Sequence, residues 1–203
     1  PYKTFTMLSN ADLKFPEVPD GKGGKVELTH GNYIKLAENQ DREIRKTAFG
    51  AMYDTVTKYR NTYAAILDGA VKTHVFESKL RNFPSTLRAA LHDDNIPDEV
   101  YMNLISTVRR NLDALHGYFD LRREVLGIRN LDMYDVYCPI VPDCEIEVSW
   151  KDACRYVRES LEPLGAEYCS VIDKALKDRW IDVLECRGKK CGAYSSGCYD
   201  SVP

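Results

Sequence analysis

The chain has 203 residues, of which 44% are hydrophobic, enough for one large domain or two small ones with a buried core. It contains 28 lysines and arginines and 31 aspartates and glutamates, which gives a formal charge of -3. Because the two signs are interspersed, no basic surface for nucleic acid or anionic lipid is expected. No apolar run approaches the roughly 18 residues of a membrane span, and the first residues lack a signal-peptide pattern. We therefore expect a soluble, cytoplasmic protein without nucleic-acid or membrane partners.

The first segment has the pattern of a β-hairpin followed by a short helix. Residues 13–28 place short β-prone flanks around a turn that contains Asp20 and Gly21. Thr29 is a residue type that caps helices, and the helix that it begins is predicted to extend to about Glu38.

A strong helical pattern follows Asp41, which can cap the helix. Apolar residues then recur every three or four positions over seven turns, at Ile44, Ala48, Met52, Val56, Tyr59, Tyr63, Ile66 and Ala70. This period is that of one face of an α-helix, and it predicts a single long helix.

A second long helix is predicted after a short one. Ser85 can cap the short helix, and Pro97 announces the start of the long one, whose stripe is Val100, Leu104, Val108, Leu112, Leu115 and Phe119. Gly127 is placed to end it after Leu126. Two long helices joined through a short one predict an antiparallel stack.

The last third of the chain is predicted to hold a loop, two helices and a second hairpin. Residues 128–148 show no helical period, Ser149 can cap a helix that Pro163 interrupts, and a further helix runs from Leu164 to about Lys177. Two β-prone runs follow, separated by glycines: Trp180–Leu184 and Ala193–Tyr199.

The second hairpin is the candidate binding feature. It contains Gly192, Ala193 and Tyr194, and the first two are small enough for another backbone to approach closely. An exposed strand edge can bind an extended peptide through main-chain hydrogen bonds. An ordinary structural hairpin is the alternative, because most exposed edges are covered or blunted.

No other motif in the chain indicates catalysis or metal binding. The histidines at 30, 74, 92 and 116 are too far apart for a local metal pair, and neither His-Glu-x-x-His nor a glycine-rich phosphate loop occurs. On the long helices, His74 and His116 are expected to be partly buried. The seven cysteines are irregularly spaced, so we expect reduced cysteines that pack in apolar surroundings, with a zinc site or disulfides as the alternative.

Several short segments, in a fixed order, carry a resemblance to a known family: Met7–Phe15, Leu28–Tyr33, Asp41–Arg45, Arg60–Ala64, Ile96–Tyr101, Met133–Tyr137, Pro163–Tyr168, Arg179–Val183 and Gly188–Ser195. Each is weak alone, but their order and spacing together are specific. Along essentially its whole length the chain resembles oligoendopeptidase F and its relatives among the thimet-type zinc metallopeptidases.

The resemblance implies a mainly α protein, the helical part of a neurolysin-like channel fold, with a small β-hairpin near each end. In this family the zinc is bound by a His-Glu-x-x-His helix and a downstream glutamate, and that helix follows the Gly-Ala-Tyr strand. This sequence stops first, so no catalytic or metal-binding residue can be assigned to it. Gly192, Ala193 and Tyr194 are assigned to substrate binding, although Lys190 and Cys191 stand where relatives commonly have Arg and Ser.

We therefore expect one helical fragment over 1–203, made of a hairpin-bearing first segment (1–40), helices (41–179) and a substrate-side β segment (180–203). Its parent would be a zinc metalloendopeptidase that cleaves short oligopeptides in the cytoplasm. The fragment itself would bind no zinc and be inactive alone, with short peptides and the remainder of the parent polypeptide as its partners. The alternatives are a non-catalytic helical peptide-binding or scaffold module and, less favoured, a cysteine-rich metal-binding domain.

Overall fold

Helices dominate the part of the chain that the computed structural model describes, which is residues 1–141, 148–184, 192, 195 and 197–200. The chain divides into two compact units, Pro1–Ile140 and Val141–Pro203, and each is described by itself. The three segments expected from the sequence stay a prediction.

The first unit contains seven α-helices among its described residues: α1 (Tyr2–Met7), α2 (Tyr33–Ala37), α3 (Arg42–Thr57), α4 (Arg60–Leu80), α5 (Thr86–His92), α6 (Asp98–Arg110) and α7 (Leu112–Val125). A π-helical turn, Leu8–Asp12, continues α1, and a 3₁₀ turn, Met133–Asp135, follows α7. The sequence patterns did not predict α1 or its π-helical continuation.

The predicted first hairpin is present, with β1 (Glu17–Pro19) antiparallel to β2 (Lys25–Glu27). Its turn is held by the carboxylate of Asp20, whose Oδ1 accepts hydrogen bonds from the backbone N–H of Lys22 at 2.7 Å and of Gly24 at 2.9 Å. These two bonds satisfy backbone donors that the short ladder leaves unpaired.

The core of the first unit lies where this hairpin packs against α2 and α3. Its buried members are all apolar: Leu13, Phe15, Val18, Leu28, Leu36, Ala48 and Met52. α3 presents Ala48 and Met52 to the core because they are four residues apart on one helical face. The helix begins where Asp41 accepts a hydrogen bond from the N–H of Glu43 at 2.9 Å, as its predicted cap role requires.

The prediction of two uninterrupted long helices is wrong. The first is divided into α3 and α4 at Lys58 and Tyr59, whose N–H groups bond three residues back, to Thr55 and Val56, instead of four. The second is divided into α6 and α7 at Asn111, whose N–H likewise bonds to Val108. Such tight last turns end a helix while keeping the chain close to helical phase, so the apolar period continues across the break.

The helix start predicted at Thr29 is wrong, because the Thr29 hydroxyl accepts a hydrogen bond from the N–H of Asn32 in a turn, and α2 begins only at Tyr33. The predicted ends of α5 and α7 are confirmed. Ser85 caps α5 by accepting a hydrogen bond from the N–H of Arg88 at 3.0 Å. After α7, Leu126 is the C-cap and Gly127 has a φ of +64°, the left-handed conformation that glycine adopts at little cost.

The second unit contains α8 (Trp150–Ser160), a 3₁₀ turn (Glu162–Leu164) and α9 (Ala166–Lys177) among its described residues. Ser149 caps α8 through the N–H of Asp152 at 3.1 Å, as predicted. The next helix was predicted from Leu164 but begins at Ala166, because Pro163 sits in the 3₁₀ turn and Gly165, at φ +91°, redirects the chain.

Helices α8 and α9 pack on each other through one buried cysteine and one ion pair. Cys169 is 2% exposed, and its thiol donates to the carbonyl of Leu161 at 3.3 Å, which agrees with its predicted packing role. Arg158 on α8 pairs with Asp173 on α9, with 3.0 Å between Nε and Oδ1.

The predicted strand over Trp180–Leu184 is wrong, because this segment is irregular in the structure. β-prone residues form a strand only where a second strand is available for pairing. Most of the run predicted to pair with it, Ala193–Tyr199, lies outside the described residues.

None of the helices in the described part of the chain is long and apolar enough to cross a membrane.

Candidate functional site

The predicted substrate-binding segment is only partly within the described residues. Gly192 is exposed and has a φ of +114°, a conformation that side-chain-bearing residues rarely adopt. Ala193 and Tyr194 lie outside the described residues. The assignment of these residues to substrate binding therefore stays a prediction.

The described residues do not bring together three His, Cys, Asp or Glu side chains that could hold a metal ion. A zinc ion accordingly has no donor set in this part of the chain. The expectation that His74 and His116 are partly buried is wrong, because both are exposed on helices that bury few of their residues.

A dense cluster of charged groups in the first unit surrounds Asp135. This carboxylate is completely buried, and its oxygens accept hydrogen bonds from Arg45 Nη2 at 2.8 Å and from Arg42 Nη2 at 2.9 Å. The backbone N–H of Asp132 donates to Asp135 Oδ2 at 3.0 Å. We call these residues, together with Arg122, the Asp135 cluster.

The arginines of the Asp135 cluster also bind backbone carbonyls. Arg45 donates to the carbonyls of Asn39 at 2.7 Å and Gln40 at 2.9 Å, just before α3. Arg122, on α7, donates to the carbonyls of Asp135 and Cys138. The cluster therefore ties residues 130–138 to α3 on one side and to α7 on the other.

Electrostatics keep the Asp135 carboxylate ionised at neutral pH. Burial raises the pKa of Asp135, but hydrogen bonds from Arg42 and Arg45 outweigh it and hold the pKa below its ordinary value. The hydrogen bond to Asp135 raises the pKa of Arg42 in turn. A carboxylate that is ionised, buried and fully occupied cannot exchange a proton with a substrate, so the role of the cluster is structural.

An aromatic group borders the cluster on its exposed side. The guanidinium of Arg42 lies over the ring of Tyr134, 5.1 Å from its centroid, and the Tyr134 hydroxyl donates to Asp132 Oδ2 at 2.7 Å. That hydrogen bond raises the pKa of Tyr134. Phe49 on α3 meets the other side of Tyr134 edge-on, with ring centroids 5.8 Å apart.

A groove lies where α5 meets α6, and its arginine is already paired. Its lining includes Arg88, whose Nη1 already donates to the carbonyl of Ile96 at 3.1 Å and pairs with Asp98 at 3.4 Å. The other charged side chain of the lining, Glu99, is exposed.

The sequence did not predict the Asp135 cluster, although its residues lie in two of the segments that carry the family resemblance. Arg42 and Arg45 belong to the family-like segment Asp41–Arg45, and Asp135 belongs to the segment Met133–Tyr137. The available signal was that both family-like segments contain charged residues. Their partnership spans about ninety residues, with sequence separations of 93 and 90, and no local pattern reports it.

The described residues form a mainly helical first unit with an antiparallel hairpin and a second unit built on paired helices. They define a mainly α-helical class of protein. The sequence model of peptidase family M3 matches residues 35–203. The chain belongs to this family.

Two curated relatives match nearly the whole chain. Oligopeptidase PepF of Bacillus subtilis (strain 168) is 43% identical over 200 residues, which are 98% of this chain and 30% of that protein. Group B oligopeptidase PepB of Streptococcus agalactiae is 43% identical over 199 residues, which are 98% of this chain and 33% of that protein. The chain thus spans about a third of the length of these relatives.

A solved structure shares the fold. The crystal structure of oligoendopeptidase-F from Enterococcus faecium matches with a TM-score of 0.67 and 36% identity, over 87% of this chain and 32% of that one. The predicted fold class, the mainly α part of the neurolysin-like channel fold, is confirmed.

Proposed function

We propose that this chain is part of a zinc metalloendopeptidase that hydrolyses short oligopeptides. The observation that carries the proposal is the match of residues 35–203 to peptidase family M3, at 43% identity to a relative named an oligopeptidase. In this proposal the chain supplies helical wall and the substrate side of the site, and the hydrolytic centre belongs to the rest of the parent polypeptide.

Zinc is assigned to the parent and not to this chain. The described residues contain no group of three side chains suited to a metal ion. Following the family resemblance, we assign the zinc ligands to a His-Glu-x-x-His helix of the parent enzyme, and we expect this chain to bind no zinc by itself.

Peptide binding is assigned to the backbone of Gly192, Ala193 and Tyr194. An extended peptide can pair with such a segment through main-chain hydrogen bonds, which give affinity with little sequence preference. The exposure of Gly192 supports this role, because an unshielded glycine lets another backbone approach closely.

The Asp135 cluster supports the proposal as a scaffold. It joins α3, α7 and residues 130–138 through buried charged hydrogen bonds, whose directionality fixes the positions of these elements relative to one another. A wall that is fixed in this way can hold its shape while peptides bind and leave.

We place the parent enzyme in the cytoplasm, with short peptides as substrates and no nucleic-acid or membrane partner.

The test compares the natural polypeptide with the 203-residue chain in cleavage of an internally quenched fluorescent oligopeptide of about ten residues. We expect turnover by the natural polypeptide and none by the chain alone, because the hydrolytic centre is assigned outside it. Turnover by the purified chain, or none by the natural polypeptide at any metal concentration, would refute the proposal.

A further inference from the structure

Three aromatic rings form a continuous row on the surface of the first unit, beside the Asp135 cluster. Phe49 and Tyr53 lie one turn apart on α3, with ring centroids 4.3 Å apart, and Phe49 meets the ring of Tyr134 edge-on. The Tyr134 ring is held in place by the guanidinium of Arg42 over its face and by the hydrogen bond from its hydroxyl to Asp132. We call Phe49, Tyr53 and Tyr134 the ring row.

The contacts between its rings distinguish the ring row from the other exposed apolar side chains. Phe76 on α4 and Tyr101 on α6 are exposed, but neither contacts another ring within the described residues. Tyr118 and Phe119 on α7 form a pair without a third ring. Rings that are already fixed lose little conformational entropy when a ligand packs on them, so a fixed row is well suited to binding.

A glycine beside the ring row leaves open space. Gly50 lies inside α3, three residues before Tyr53, and a Cβ added to it meets no atom within 4 Å. Glycine weakens the interior of a helix relative to alanine. On α4 the same residue type has a structural reason, because a Cβ on Gly69 would lie 3.2 Å from the Cγ of Pro1. The described residues supply no such contact at Gly50, so its space is open to a ligand.

One free cation borders this space. Lys46 is exposed and lies one turn before Gly50 on α3, and none of the ion pairs within the described residues involves it. Arg42, the other cation of this face, is already bound to the carboxylates of Asp132 and Asp135. An incoming anion therefore meets Lys46.

A ligand that fits these neighbours carries one negative charge next to a flat apolar group. Its carboxylate would pair with Lys46, and an aromatic side chain would pack on the ring row. Asp54 lies one turn after Gly50, on the side of α3 away from Lys46, and repels a carboxylate from that side. The C-terminal residue of a peptide has both groups when its side chain is aromatic. A nucleotide fits less well, because its phosphate carries up to two charges and meets a single free cation.

We propose that Lys46, Gly50 and the ring row bind the C-terminal residue of a peptide, with its carboxylate on Lys46 and its aromatic side chain over Phe49 and Tyr53. The backbone of the peptide approaches α3 at Gly50, where no Cβ keeps it away. This inference rests on the proposed function, because it selects among the short peptides proposed there those that end in an aromatic residue with a free carboxylate.

The test fills the open space and leaves the helix intact. Gly50→Leu puts a bulky side chain into it, and Gly117→Leu makes the same change inside α7, where an added Cβ also meets no atom within 4 Å. This control site is bordered at the equivalent positions by Asp113 and Asp120 instead of a lysine and a tyrosine. Leucine favours a helix more than glycine does, so neither change is expected to lower the Tm of the natural polypeptide.

Calorimetric titration of the natural polypeptide, kept metal-free by a chelator, measures peptide binding without hydrolysis. The probe is an alanine-rich heptapeptide that ends in phenylalanine with a free carboxylate, and its C-terminal amide tests the charge. We expect Gly50→Leu to weaken binding of the free acid at least about tenfold and Gly117→Leu to change it less than about twofold. Amidation should weaken binding to the wild type by about three- to fivefold, and this difference should vanish in Lys46→Gln.

Three results would overturn the inference. The first is equal affinity of the wild type and Gly50→Leu for the free acid, and the second is an equal loss of affinity in the two leucine variants. The third uses AMP as a second probe: AMP that binds the wild type but not Gly50→Leu, while peptide binding is unchanged, would identify a nucleotide as the ligand instead.

The outcome is separable from that of the proposed function. Binding to the metal-free protein does not require catalysis, so a natural polypeptide that hydrolyses no peptide but loses peptide binding in Gly50→Leu refutes the proposed function alone. A natural polypeptide that hydrolyses peptides and binds them equally well in both leucine variants and the wild type refutes the C-terminal binding site alone.

Discussion

Asp135 is completely buried, yet it is a charged residue with both carboxylate oxygens engaged. Removing a carboxylate from water costs several kcal/mol, which is offset only when hydrogen bonds satisfy it fully. Arg42, Arg45 and the N–H of Asp132 provide those bonds. The charge is therefore stable where it is, but only as long as all of its partners are present.

Replacing this carboxylate should expose that dependence. In Asp135→Asn, the guanidinium of Arg45, 2% exposed, loses its counter-charge, and we expect the free energy of unfolding in urea to fall by about 3–5 kcal/mol. The matched control is Asp68→Asn, which breaks the solvent-exposed pair of Asp68 with Lys72. The control should change stability by less than about 1 kcal/mol. Equal losses of stability in the two variants would contradict the claim that the buried Asp135 ion pairs matter more for stability than an exposed one.

The same carboxylate should contribute to the loss of stability in acid. Its pKa lies below the ordinary value, so the unfolded chain binds a proton more readily than the folded one. The stabilisation is complete above the unfolded pKa of about 4 and is lost as the pH falls through the folded pKa. The stability difference between wild type and Asp135→Asn should therefore be constant above about pH 5 and shrink below about pH 4. A difference that grows as the pH falls would contradict this assignment.

At the scale of elements, helix caps could be read from the sequence and helix breaks could not. Asp41, Ser85 and Ser149 are caps in the structure because a short polar side chain can satisfy a free N–H within its own turn. The breaks at Tyr59 and Asn111 leave no such mark. Both residues leave the α region, at φ -104°, ψ 12° and φ -110°, ψ 14°, but the next helix starts at the following residue, so the apolar period passes through them.

Burial was the other property that periodicity did not reveal. Ala48 and Val108 belong to equally regular stripes, yet Ala48 is fully buried in the core and Val108 is 54% exposed. A stripe shows which side of a helix seeks a partner. It does not show whether the partner lies within the same 203 residues.

Two glycines of the same region should respond in opposite directions to alanine. Gly127, after α7, has a φ of +64°, and Gly117 lies inside α7 with no atom within 4 Å of an added Cβ. Gly127→Ala should destabilise the protein by about 1 kcal/mol through backbone strain. Gly117→Ala should stabilise it by about 0.5–1 kcal/mol, because alanine favours the helix.

Urea unfolding of the two variants measures both effects. Since an added Cβ meets no neighbour within 4 Å at either position, any difference in sign comes from backbone conformation alone. Destabilisation of equal size at both sites would contradict the assignment of Gly127 as the helix terminator.

At the scale of the whole molecule, the family is shown, although the chain matches only part of the length of its relatives. The chain forms two compact units and belongs to peptidase family M3, but it spans only 30% and 33% of the two curated relatives compared. The family could be recognised from the sequence because short segments keep their order along the chain. The geometry of the proposed peptide-binding segment could not be derived, because Ala193 and Tyr194 lie outside the described residues.

The central claim, that this chain is part of a zinc-dependent oligopeptide hydrolase, is tested most directly by metal removal from the natural polypeptide. Cleavage of a quenched fluorescent oligopeptide would be followed before and after treatment with a chelator, and again after stoichiometric zinc is added. We expect activity to fall at least about a hundredfold on removal and to return with one zinc per polypeptide. Activity that persists unchanged in metal-free protein would contradict the account.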